Sequence, residues 1–555
     1  MSSHTTRVTP AHIDAWTAAG WWGDRTLTDV IRSHAAAAPD GEAFISEHHR
    51  LSWAGYDRLS SRIAAALLTL GLDRGDRVVV LLPDTPTIHA TFVGAEKAGL
   101  VVMGIGHRAG EKEIEHLAGR SGARAIITRR THRDEPATAL VARLRSQQPS
   151  LAHHLVIDDE PGTDPETGLE LDGSALGPAE LEGTDREARI DERRLGPSEL
   201  FLLNSTSGTT GLPKCVMQTQ NRWFYFHTLA AEFGALTAED RCMSVVPAPF
   251  GFGLWTSHFT PTLLGAPCVV TEDFSASAMI RLIEAERVSV LCCVSTQFIM
   301  MLNDPALEQH DVSSLRVMFT GGEAIPYQRA LEFEERTGCR VLNFYGSNET
   351  GTLTGTRLDD TEIKRLTTGG RPVEEMQVRL YDAETSELLP ELRGQGVPAC
   401  QGPAIALGYW DDEDANDKLF TEDGWMLMGD IVEFDDDGYL RVVGRTSDFI
   451  IRGGKNISAP AVEDEIIAHP DVEMAAAVAA PDPVFGERVA AYVELRPGAS
   501  LTLPDLVAFM KDRGVSKEWL PEHLVVLDAL PRASGGKVAK GALKEDAIKR
   551  FAPAP

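Results

Sequence analysis

Hydrophobic and polar positions alternate between two periods along the first part of the chain. Apolar residues recur at helical spacing over residues 55–70, and the apolar run that follows predicts a strand over 78–82. The same alternation predicts helices over 85–98 and 111–120, and strands over 101–105 and 125–128. Strands that alternate with helices in this way indicate an α/β domain with layers of parallel strands.

The end of the chain carries a second, smaller set of alternating elements. Its pattern predicts helices over 462–468 and 503–513, with strands over 475–480 and 489–495 between them. A chain of 555 residues is too long for one hydrophobic core. Because the composition changes near Gly444–Asp448, we predict a large α/β domain over residues 1–445 and a small α+β domain over 446–555.

Residues 158–196 lack this periodicity. They are rich in Asp, Glu, Gly and Pro, a composition that is typical of loops between periodic segments. We therefore predict a solvated, partly mobile connection inside the large domain.

Composition and charge exclude several classes of function. The chain has 53 Lys and Arg residues against 82 Asp and Glu, which gives a net charge of −29. So acidic a surface repels nucleic acids and anionic membranes, and neither is expected as a partner. The seven cysteines include no C-x-x-C pair, which argues against a disulfide framework or a zinc site and favours a reducing compartment. Residues 1–14 lack a signal-peptide core, and no apolar run approaches the ~18 residues of a membrane span, so a cytoplasmic protein is expected.

The most distinctive stretch is Ser205–Lys214, which follows the apolar run 200–203 and combines glycines, hydroxyl residues and a final Pro-Lys pair. Glycines let backbone N–H groups turn inward, while the hydroxyl and ammonium groups add donors and charge, so the stretch predicts a cradle for a polyphosphate. A P-loop does not fit, because Lys214 follows Pro213 rather than Gly and Cys215 stands where Ser or Thr would bind magnesium. The alternative is an ordinary polar loop.

Together with six further motifs, this stretch resembles the signature of the adenylate-forming superfamily, which comprises acyl- and aryl-CoA ligases, stand-alone adenylation domains and luciferases. The chain is most like an acyl- or aryl-CoA ligase. One such motif alone is weak, whereas the ordered set across most of the chain is specific. The further motifs are Thr320–Glu323, Tyr345–Gly351, Gly424-Trp425 with Gly429-Asp430, Gly444–Asp448, Arg452–Ile457, and Pro531-Arg532 with Gly536-Lys537.

The resemblance implies a nucleotide site in the large domain and a hinge at Ser447, where most members carry Asp or Lys. Glu349 is expected to hold Mg²⁺, which takes oxygen ligands and usually works through substrate phosphates; the alternative is an ordinary acid at a helix start. Tyr345 is expected to stack on adenine, while Asp430 and Arg445 contact the ribose. The complete set expected to bind ATP is Ser207, Gly208, Thr209, Thr210, Gly211, Lys214, Gly322, Glu323, Tyr345, Gly346, Asn348 (where Thr is usual), Asp430, Arg445 and Lys537. The expected catalytic residues are Thr209, Lys214 and Lys537 from this set, together with Glu349.

The resemblance also places an acid pocket at Phe250, Gly251, Thr296 and Gly321. A His is common in the family at the position of Phe250, and ligases for 2-hydroxybenzoates usually carry Asn at the position of Gly251. This chain has neither. We therefore predict a hydrophobic acid, which is aryl, cyclic or medium acyl, bound beside an aromatic wall with room left at Gly251. The aromatic residues of this segment are equally compatible with a place in the core.

The implied reaction has two halves. A carboxylate attacks the α-phosphate of Mg-ATP and gives an acyl adenylate and pyrophosphate; a thiol, expected to be CoA, then takes the acyl group and releases AMP. Lys537 is expected to reach the carboxylate and the α-phosphate in the first half. After a rotation of the small domain, Arg452, Gly453 and Gly454 would line the CoA tunnel.

Three other interpretations stay open at this point. The same motifs serve enzymes that load the acyl group onto a carrier protein instead of CoA. A kinase-like or ATPase role would release ADP rather than AMP and pyrophosphate, and a nucleotide sensor on the same fold would release neither. The expected partners are thus a small carboxylic acid with CoA or a carrier protein, and a homodimer also stays open.

Overall fold

The computed structural model shows a mixed α/β protein with a large set of layered sheets and a small C-terminal α+β unit. It describes residues 6–133, 135–177, 181, 186–205, 213–322, 325–383, 385–445, 449–452, 455–532 and 537–551. At positions 445, 449, 451, 455 and 456 it describes the backbone alone.

The first large sheet holds eight strands within the described ranges. Its middle strands are parallel, and antiparallel pairs close both edges. In spatial order the strands are Ser174–Ala175, Leu169–Leu171, His153–Ile157, Ala125–Thr128, Arg77–Leu81, Val101–Gly104, Leu200–Ser205 and Cys215–Thr219.

The second large sheet holds nine strands among the described residues and is again parallel in its middle. In spatial order the strands are Arg371–Pro372, Gly351–Gly355, Arg340–Ser347, Val317–Gly321, Val290–Cys292, Cys242–Ser244, Cys268–Val269, Glu42–Ile45 and Arg50–Ser52. Both sheets therefore have the layered parallel arrangement that the alternating pattern predicts.

The remaining sheets are smaller and mostly antiparallel. One consists of Gln377–Tyr381, Gly394–Gln401, Met426–Leu427, Asp430–Phe434 and Leu440–Arg445. The sheet of the C-terminal unit consists of Lys455–Ser458, Phe449–Arg452, Gly486–Leu495, Val472–Asp482 and His523–Val526. A short hairpin pairs Thr131–His132 with Glu135–Pro136.

Helices cover the faces of these sheets. The α-helices are Pro10–Ala18, Leu27–Ala37, Trp53–Leu68, Pro86–Lys97, Glu111–Ser121, Ala137–Gln147, Arg186–Arg193, Gln220–Phe233, Gly251–Gly253, Thr260–Leu264, Ala276–Glu286, Ser295–Asn303, Tyr327–Thr337, Glu362–Thr367, Glu413–Leu419, Ala459–Ile467, Leu503–Asp512 and Lys540–Phe551. A π-helical segment spans Leu254–Phe259, and 3₁₀ turns span Pro305–Glu308 and Lys517–Trp519.

The prediction of an irregular connection over residues 158–196 is wrong in part. This segment contains the strands Leu169–Leu171 and Ser174–Ala175, which extend the first sheet, and the helix Arg186–Arg193. Leu169, Leu181 and Ile190 are almost fully buried. A few well-spaced apolar side chains thus anchor the segment to the large domain, although its composition is acidic.

The carboxyl ends of the parallel strands of both sheets meet at one place. Strand Val101–Gly104 ends against the segment that follows Cys242–Ser244: a Cβ at Gly104 would lie 3.2 Å from Pro249, and one at Gly106 would lie 3.2 Å from the Phe250 ring. Open α/β sheets bind ligands at the carboxyl ends of their strands. The site is therefore expected between these two edges.

All seven cysteines are free thiols and buried. In the part of the chain that the structure describes, no helix combines the length and the apolar character needed to cross a bilayer.

Candidate active site

The predicted anion loop connects two antiparallel strands of the first sheet. Leu200–Ser205 pairs with Cys215–Thr219, so the chain runs from Lys214 into a strand. A P-loop would run into a helix, and the topology therefore agrees with its rejection. The predicted loop residues Ser207, Gly208, Thr209, Thr210 and Gly211 lie outside the described residues.

Lys214 and Glu349 both contact the side chain of Tyr409. The Lys214 ammonium lies 4.6 Å from the centroid of the Tyr409 ring, in cation–π contact. The Tyr409 hydroxyl donates a hydrogen bond of 2.7 Å to Oε1 of Glu349. Burial, followed by the charge of Glu349, raises the pKa of Tyr409 well above its usual range, so the hydroxyl stays protonated and remains a donor.

A network of buried polar side chains supports the turn that carries Glu349. Asn204 and Asn348 exchange two amide hydrogen bonds of 2.8 and 2.9 Å. Gln218 donates to the oxygens of both amides, at 2.9 and 3.2 Å. Asn204 and Gln218 are fully buried, so the network fixes the orientation of Asn348 in a place that water does not reach.

Arg222 extends this network to the backbone of the same turn. Its guanidinium donates to the side-chain oxygen of Gln218 and to the carbonyls of Asn348 at 3.0 Å and Ala404 at 2.7 Å. The residue is 1% exposed. Burial lowers the pKa of Arg222 to about 9, while the charge of Glu349 acts in the opposite direction. Arg222 is therefore still a cation at neutral pH.

The structure corrects the prediction of open space at Gly251. A Cβ at this position would lie 2.5 Å from Oδ1 of Asn348, so the Asn348 amide fills the volume that the missing side chain leaves. Gly251 begins a short helix, and Phe250 directly precedes it with its ring against Gly106. Phe250 and Gly251 are thus neighbours of the Glu349 turn.

The aromatic residues behind Phe250 belong to the core. Trp255 is 1% exposed and stacks on Phe226 with a centroid distance of 4.4 Å. It also contacts Phe319 and Phe344 edge-on, at 5.6 and 5.2 Å. These contacts close the space between the second sheet and helix Gln220–Phe233, so Trp255 is a core residue.

Two further predicted pocket residues lie at strand ends of the second sheet. Gly321 is the last residue of strand Val317–Gly321 and pairs with Phe344. Thr296 is buried and lies in the first turn of helix Ser295–Asn303, just after strand Val290–Cys292. Thr296, Gly321 and the segment of Phe250 therefore lie at or after the carboxyl ends of parallel strands at one edge of the second sheet.

Lys537 reaches this edge from the C-terminal unit. Its ammonium donates a hydrogen bond of 2.7 Å to the carbonyl of Gly322. Gly322 has a φ of +78°, and a Cβ there would lie 2.6 Å from Nζ of Lys537. The left-handed conformation favours glycine at this position. Glu323, the next predicted residue, lies outside the described residues.

The predicted adenosine residues form a separate group nearby. Tyr345 and Gly346 lie on strand Arg340–Ser347, and the Tyr345 hydroxyl donates to Oδ2 of Asp430 at 2.9 Å. Asp430 is the cross-strand partner of Arg445, of which only the backbone is described. The three residues predicted for adenine and ribose are thus adjacent, and the tyrosine hydroxyl orients the carboxylate.

Arg452 does not join this site. It forms an ion pair with Glu522, donates to the carbonyls of Lys517 and Glu518, and lies 5.4 Å from the centroid of the Phe485 ring. All of these partners are in the C-terminal unit. Gly453, Gly454 and the predicted hinge residue Ser447 lie outside the described residues.

Glu349 fits the expected role of a magnesium ligand. Tyr409 occupies one carboxylate oxygen, and the structure gives no hydrogen bond to Oε2 from any described residue. Mg²⁺ is usually held by one or two carboxylates together with phosphates and waters. The described residues contain no cluster of three or more His, Cys, Asp or Glu side chains arranged to hold a metal. A single carboxylate that Tyr409 links to Lys214 would suit a metal that arrives with ATP.

Sequence reasoning missed four residues that build the site. Asn204 directly precedes the distinctive stretch, Gln218 and Arg222 follow it four residues apart, and Tyr409 lies in a Gly-Tyr-Trp triplet. The sequence does offer a signal for Asn204, Gln218 and Arg222. They are polar residues near the ends of apolar strands or at the start of an apolar helix, and a buried polar residue needs a partner. Nothing in the sequence indicates that Tyr409 contacts Glu349, because 60 residues separate them.

Comparisons with known proteins show the family of this chain. The family of AMP-binding enzymes matches residues 31–410, and the family of AMP-binding enzyme C-terminal domains matches residues 461–537. The medium-chain fatty-acid–CoA ligase of Escherichia coli is 31% identical over 96% of this chain and 92% of its own length. The salicyl-AMP ligase / salicyl-S-ArCP synthetase of Mycobacterium tuberculosis is 30% identical over 95% of this chain and 92% of its own. The fold matches that of the anthranilate CoA ligase AuaEII in complex with anthranoyl-AMP, with a TM-score of 0.82 at 22% identity, covering 96% of this chain and 99% of that one.

The substitution Glu349→Gln should weaken the use of Mg-ATP and leave the fold intact. The amide can still accept the Tyr409 hydrogen bond but lacks the charge that the metal requires. We expect kcat/KM for Mg-ATP to fall on the order of 10²-fold, with an unchanged melting temperature.

A matched control is Glu375→Gln, because Glu375 also accepts a hydrogen bond from a buried tyrosine, Tyr225, at 2.8 Å. If both variants lose the same activity, or if Glu349→Gln melts at a much lower temperature yet keeps its activity per folded molecule, Glu349 has a structural role only.

Proposed function

The chain belongs to the family of AMP-binding enzymes, and we propose that it activates a hydrophobic carboxylic acid with ATP and transfers the acyl group to CoA. The acid first becomes an acyl adenylate with release of pyrophosphate. A thiol then attacks the acyl carbon, and AMP leaves with the electron pair of the broken anhydride bond. No covalent enzyme intermediate is needed, so the protein contributes mainly positioning and electrostatics.

The contact between Lys537 and Gly322 is the observation that carries this proposal. The Lys537 ammonium lies at the carboxyl end of strand Val317–Gly321, beside the residues predicted for the acid and the nucleotide. Activation brings two anions together, the carboxylate and the α-phosphate. A cation between them lowers their repulsion and stabilises the charge that develops as they react.

Each of the other groups of the site is proposed to contact one part of ATP. Asp430, oriented by Tyr345, is proposed to accept hydrogen bonds from the ribose hydroxyls. Lys214 and the loop before it are proposed to bind the β- and γ-phosphates. Glu349 would hold Mg²⁺, which supplies further positive charge to these phosphates when it is bound.

The proposed acid is hydrophobic and does not depend on an ortho hydroxyl. Phe250 offers an aromatic wall, and the polar group nearest to Gly251 is the Asn348 amide. That amide already pairs with Asn204 on both its oxygen and its nitrogen. A site built to bind a hydroxyl would present a group whose hydrogen bonds are not met inside the protein.

The rotation of the small domain is part of the same proposal. We assign residues 1–445 to a large domain and 446–555 to a small one, with the hinge at Ser447. In the arrangement described, Lys537 contacts the large domain while Arg452 is held within the small one. This arrangement suits the first half of the reaction, and a rotation would be required to bring Arg452 to the thiol channel.

A screen of acids tests the activity and the substrate class together. We expect ATP- and acid-dependent formation of AMP and pyrophosphate, with benzoate or cyclic and medium acyl acids used at least as well as salicylate. An apolar pocket discriminates weakly between such acids, whereas a hydroxyl-binding site rejects the acid without the hydroxyl by roughly 10⁴-fold. Strict preference for salicylate over benzoate would refute the substrate class, and release of ADP would refute the reaction.

The acceptor is tested by counting free thiols with the acid found in the screen. We expect one CoA thiol to disappear for each AMP formed, because the proposed second half ends in a thioester. The second candidate is a carrier protein, which the comparison with the M. tuberculosis enzyme favours, since its name includes salicyl-S-ArCP synthetase. Consumption of acid and ATP without loss of CoA thiol, together with acylation of an added carrier protein, would decide for that alternative.

The substitution Lys537→Ala should abolish the first half-reaction and largely preserve the second. Loss of one preorganised donor typically slows a reaction by about 10²–10³-fold, and loss of a full charge can slow it more. Single-turnover measurements with ATP and acid, and separately with synthetic acyl adenylate and CoA, resolve the two halves.

The control is Lys540→Ala, which removes a positive charge three residues away that pairs with Glu463 at 2.7 Å inside the C-terminal unit. It should leave both halves near the wild-type rate. Equal losses in both halves for Lys537→Ala would point to misfolding or to a site that does not rearrange.

A further inference from the structure

Tyr409 connects two charged residues of the proposed phosphate site through different parts of one side chain. The face of its ring lies 4.6 Å from the Lys214 ammonium, and its hydroxyl donates to Glu349 at 2.7 Å. A buried tyrosine usually satisfies its hydroxyl with some partner. Here both the face and the edge of the ring contact side chains of opposite charge that the proposed function assigns to ATP and its metal.

The backbone around Tyr409 is fixed from several directions. The backbone N–H of Tyr409 donates to the Asn416 side chain at 2.7 Å, and the Asn416 amide donates back to the Tyr409 carbonyl at 2.8 Å. Tyr409 also forms a β-bridge with Val216, two residues after Lys214. The neighbouring Ala406 N–H donates to the carbonyl of Glu349 at 2.7 Å. Backbone contacts therefore join the segment of Tyr409 both to the strand that follows Lys214 and to the turn that carries Glu349.

The fixed position of Tyr409 restricts the orientation of the Glu349 carboxylate. Glutamate has three side-chain torsions, and without a partner its carboxylate would sample several positions. The Tyr409 hydrogen bond engages Oε1, while no described residue donates to Oε2. A carboxylate held by one oxygen presents the other in a defined direction, which is how outer partners of metal ligands act.

We propose that Tyr409 is a positioning residue that holds the Glu349 carboxylate ready for the metal of Mg-ATP and fixes Lys214 on its ring at the same time. The proposal rests on the proposed function only in assigning Glu349 and Lys214 to Mg-ATP. The hydroxyl is proposed to act on the metal through Glu349, and the ring is proposed to act on the phosphates through Lys214. The hydroxyl can be removed while the ring is kept.

The test measures binding rather than turnover. Isothermal titration with the non-hydrolysable analogue α,β-methylene-ATP over a series of Mg²⁺ concentrations gives the Mg²⁺ concentration at which the gain in affinity is half complete. For Tyr409→Phe we expect this concentration to rise about 10-fold or more, the usual effect of losing an outer partner of a metal ligand. The affinity without Mg²⁺ should stay close to wild type, because the ring still faces Lys214.

Two further variants complete the test. Tyr409→Leu removes the ring as well, so it should also weaken the binding of the analogue without Mg²⁺. Tyr225→Phe is the matched control, because it deletes another buried hydroxyl that donates to a carboxylate, that of Glu375. It should leave the Mg²⁺ dependence unchanged. The melting temperatures of Tyr409→Phe and Tyr225→Phe show whether the loss of a buried hydroxyl lowers the stability of the protein equally in the two variants.

The outcomes separate this inference from the proposed function. A wild-type Mg²⁺ dependence in Tyr409→Phe, or an equal shift in Tyr225→Phe, would overturn the positioning role. Wild-type binding that does not respond to Mg²⁺ at all would overturn it too. If the shift is present but no acid supports pyrophosphate formation, the inference holds and the proposed reaction fails.

Discussion

A buried guanidinium holds together the segments from which the site is built. Arg222 has no carboxylate within ion-pair distance among the described residues, and it donates instead to the side chain of Gln218 and to backbone carbonyls at 348, 349 and 404. Burying a charge without a direct counter-ion is expensive. Several neutral acceptors share this charge, and their carbonyls come from two separate segments of the chain. Removing Arg222 would leave the carbonyl of Ala404 without this donor in the core and would take one donor from the carbonyls at 348 and 349, so their positions depend on it.

This local arrangement runs against the charge of the whole molecule. The chain carries a net charge of −29, yet the proposed site includes the cations Lys214, Arg222 and Lys537 as well as the carboxylates of Glu349 and Asp430. A fixed positive potential in a cleft raises the local concentration of an anion such as ATP. Because Arg222 is buried, salt screens it much less than it screens surface charges. The acidic surface and the basic site therefore do not conflict.

The sequence predicted the elements better than the contacts between them. The predicted strand 125–128 has the observed bounds, and the strand predicted over 475–480 extends to Val472–Asp482 because hairpin pairing with Gly486–Leu495 continues past the apolar run. The anion loop and the lysine near the C-terminus could be predicted because their chemistry is concentrated in short motifs. The polar network was not predicted, because its members Asn204 and Asn348 are 144 residues apart and are ordinary residues until the fold joins them. The same reason explains Gly251: a missing side chain cannot reveal that Asn348, from another strand end, fills the space.

Asn348 shows how closely the proposed acid and phosphate sites are connected. Its side chain lies against Gly251, its carbonyl accepts a hydrogen bond from Arg222, and the next residue is Glu349. One turn of the chain therefore borders the pocket proposed for the acid and carries the carboxylate proposed for the metal. An acid that pushed against Gly251 would press on the Asn348 amide, which the buried pairing with Asn204 resists. The size of the acid and the position of Glu349 are thus constrained by the same buried hydrogen bonds, and a pocket enlarged at position 348 would also loosen the metal side of the site.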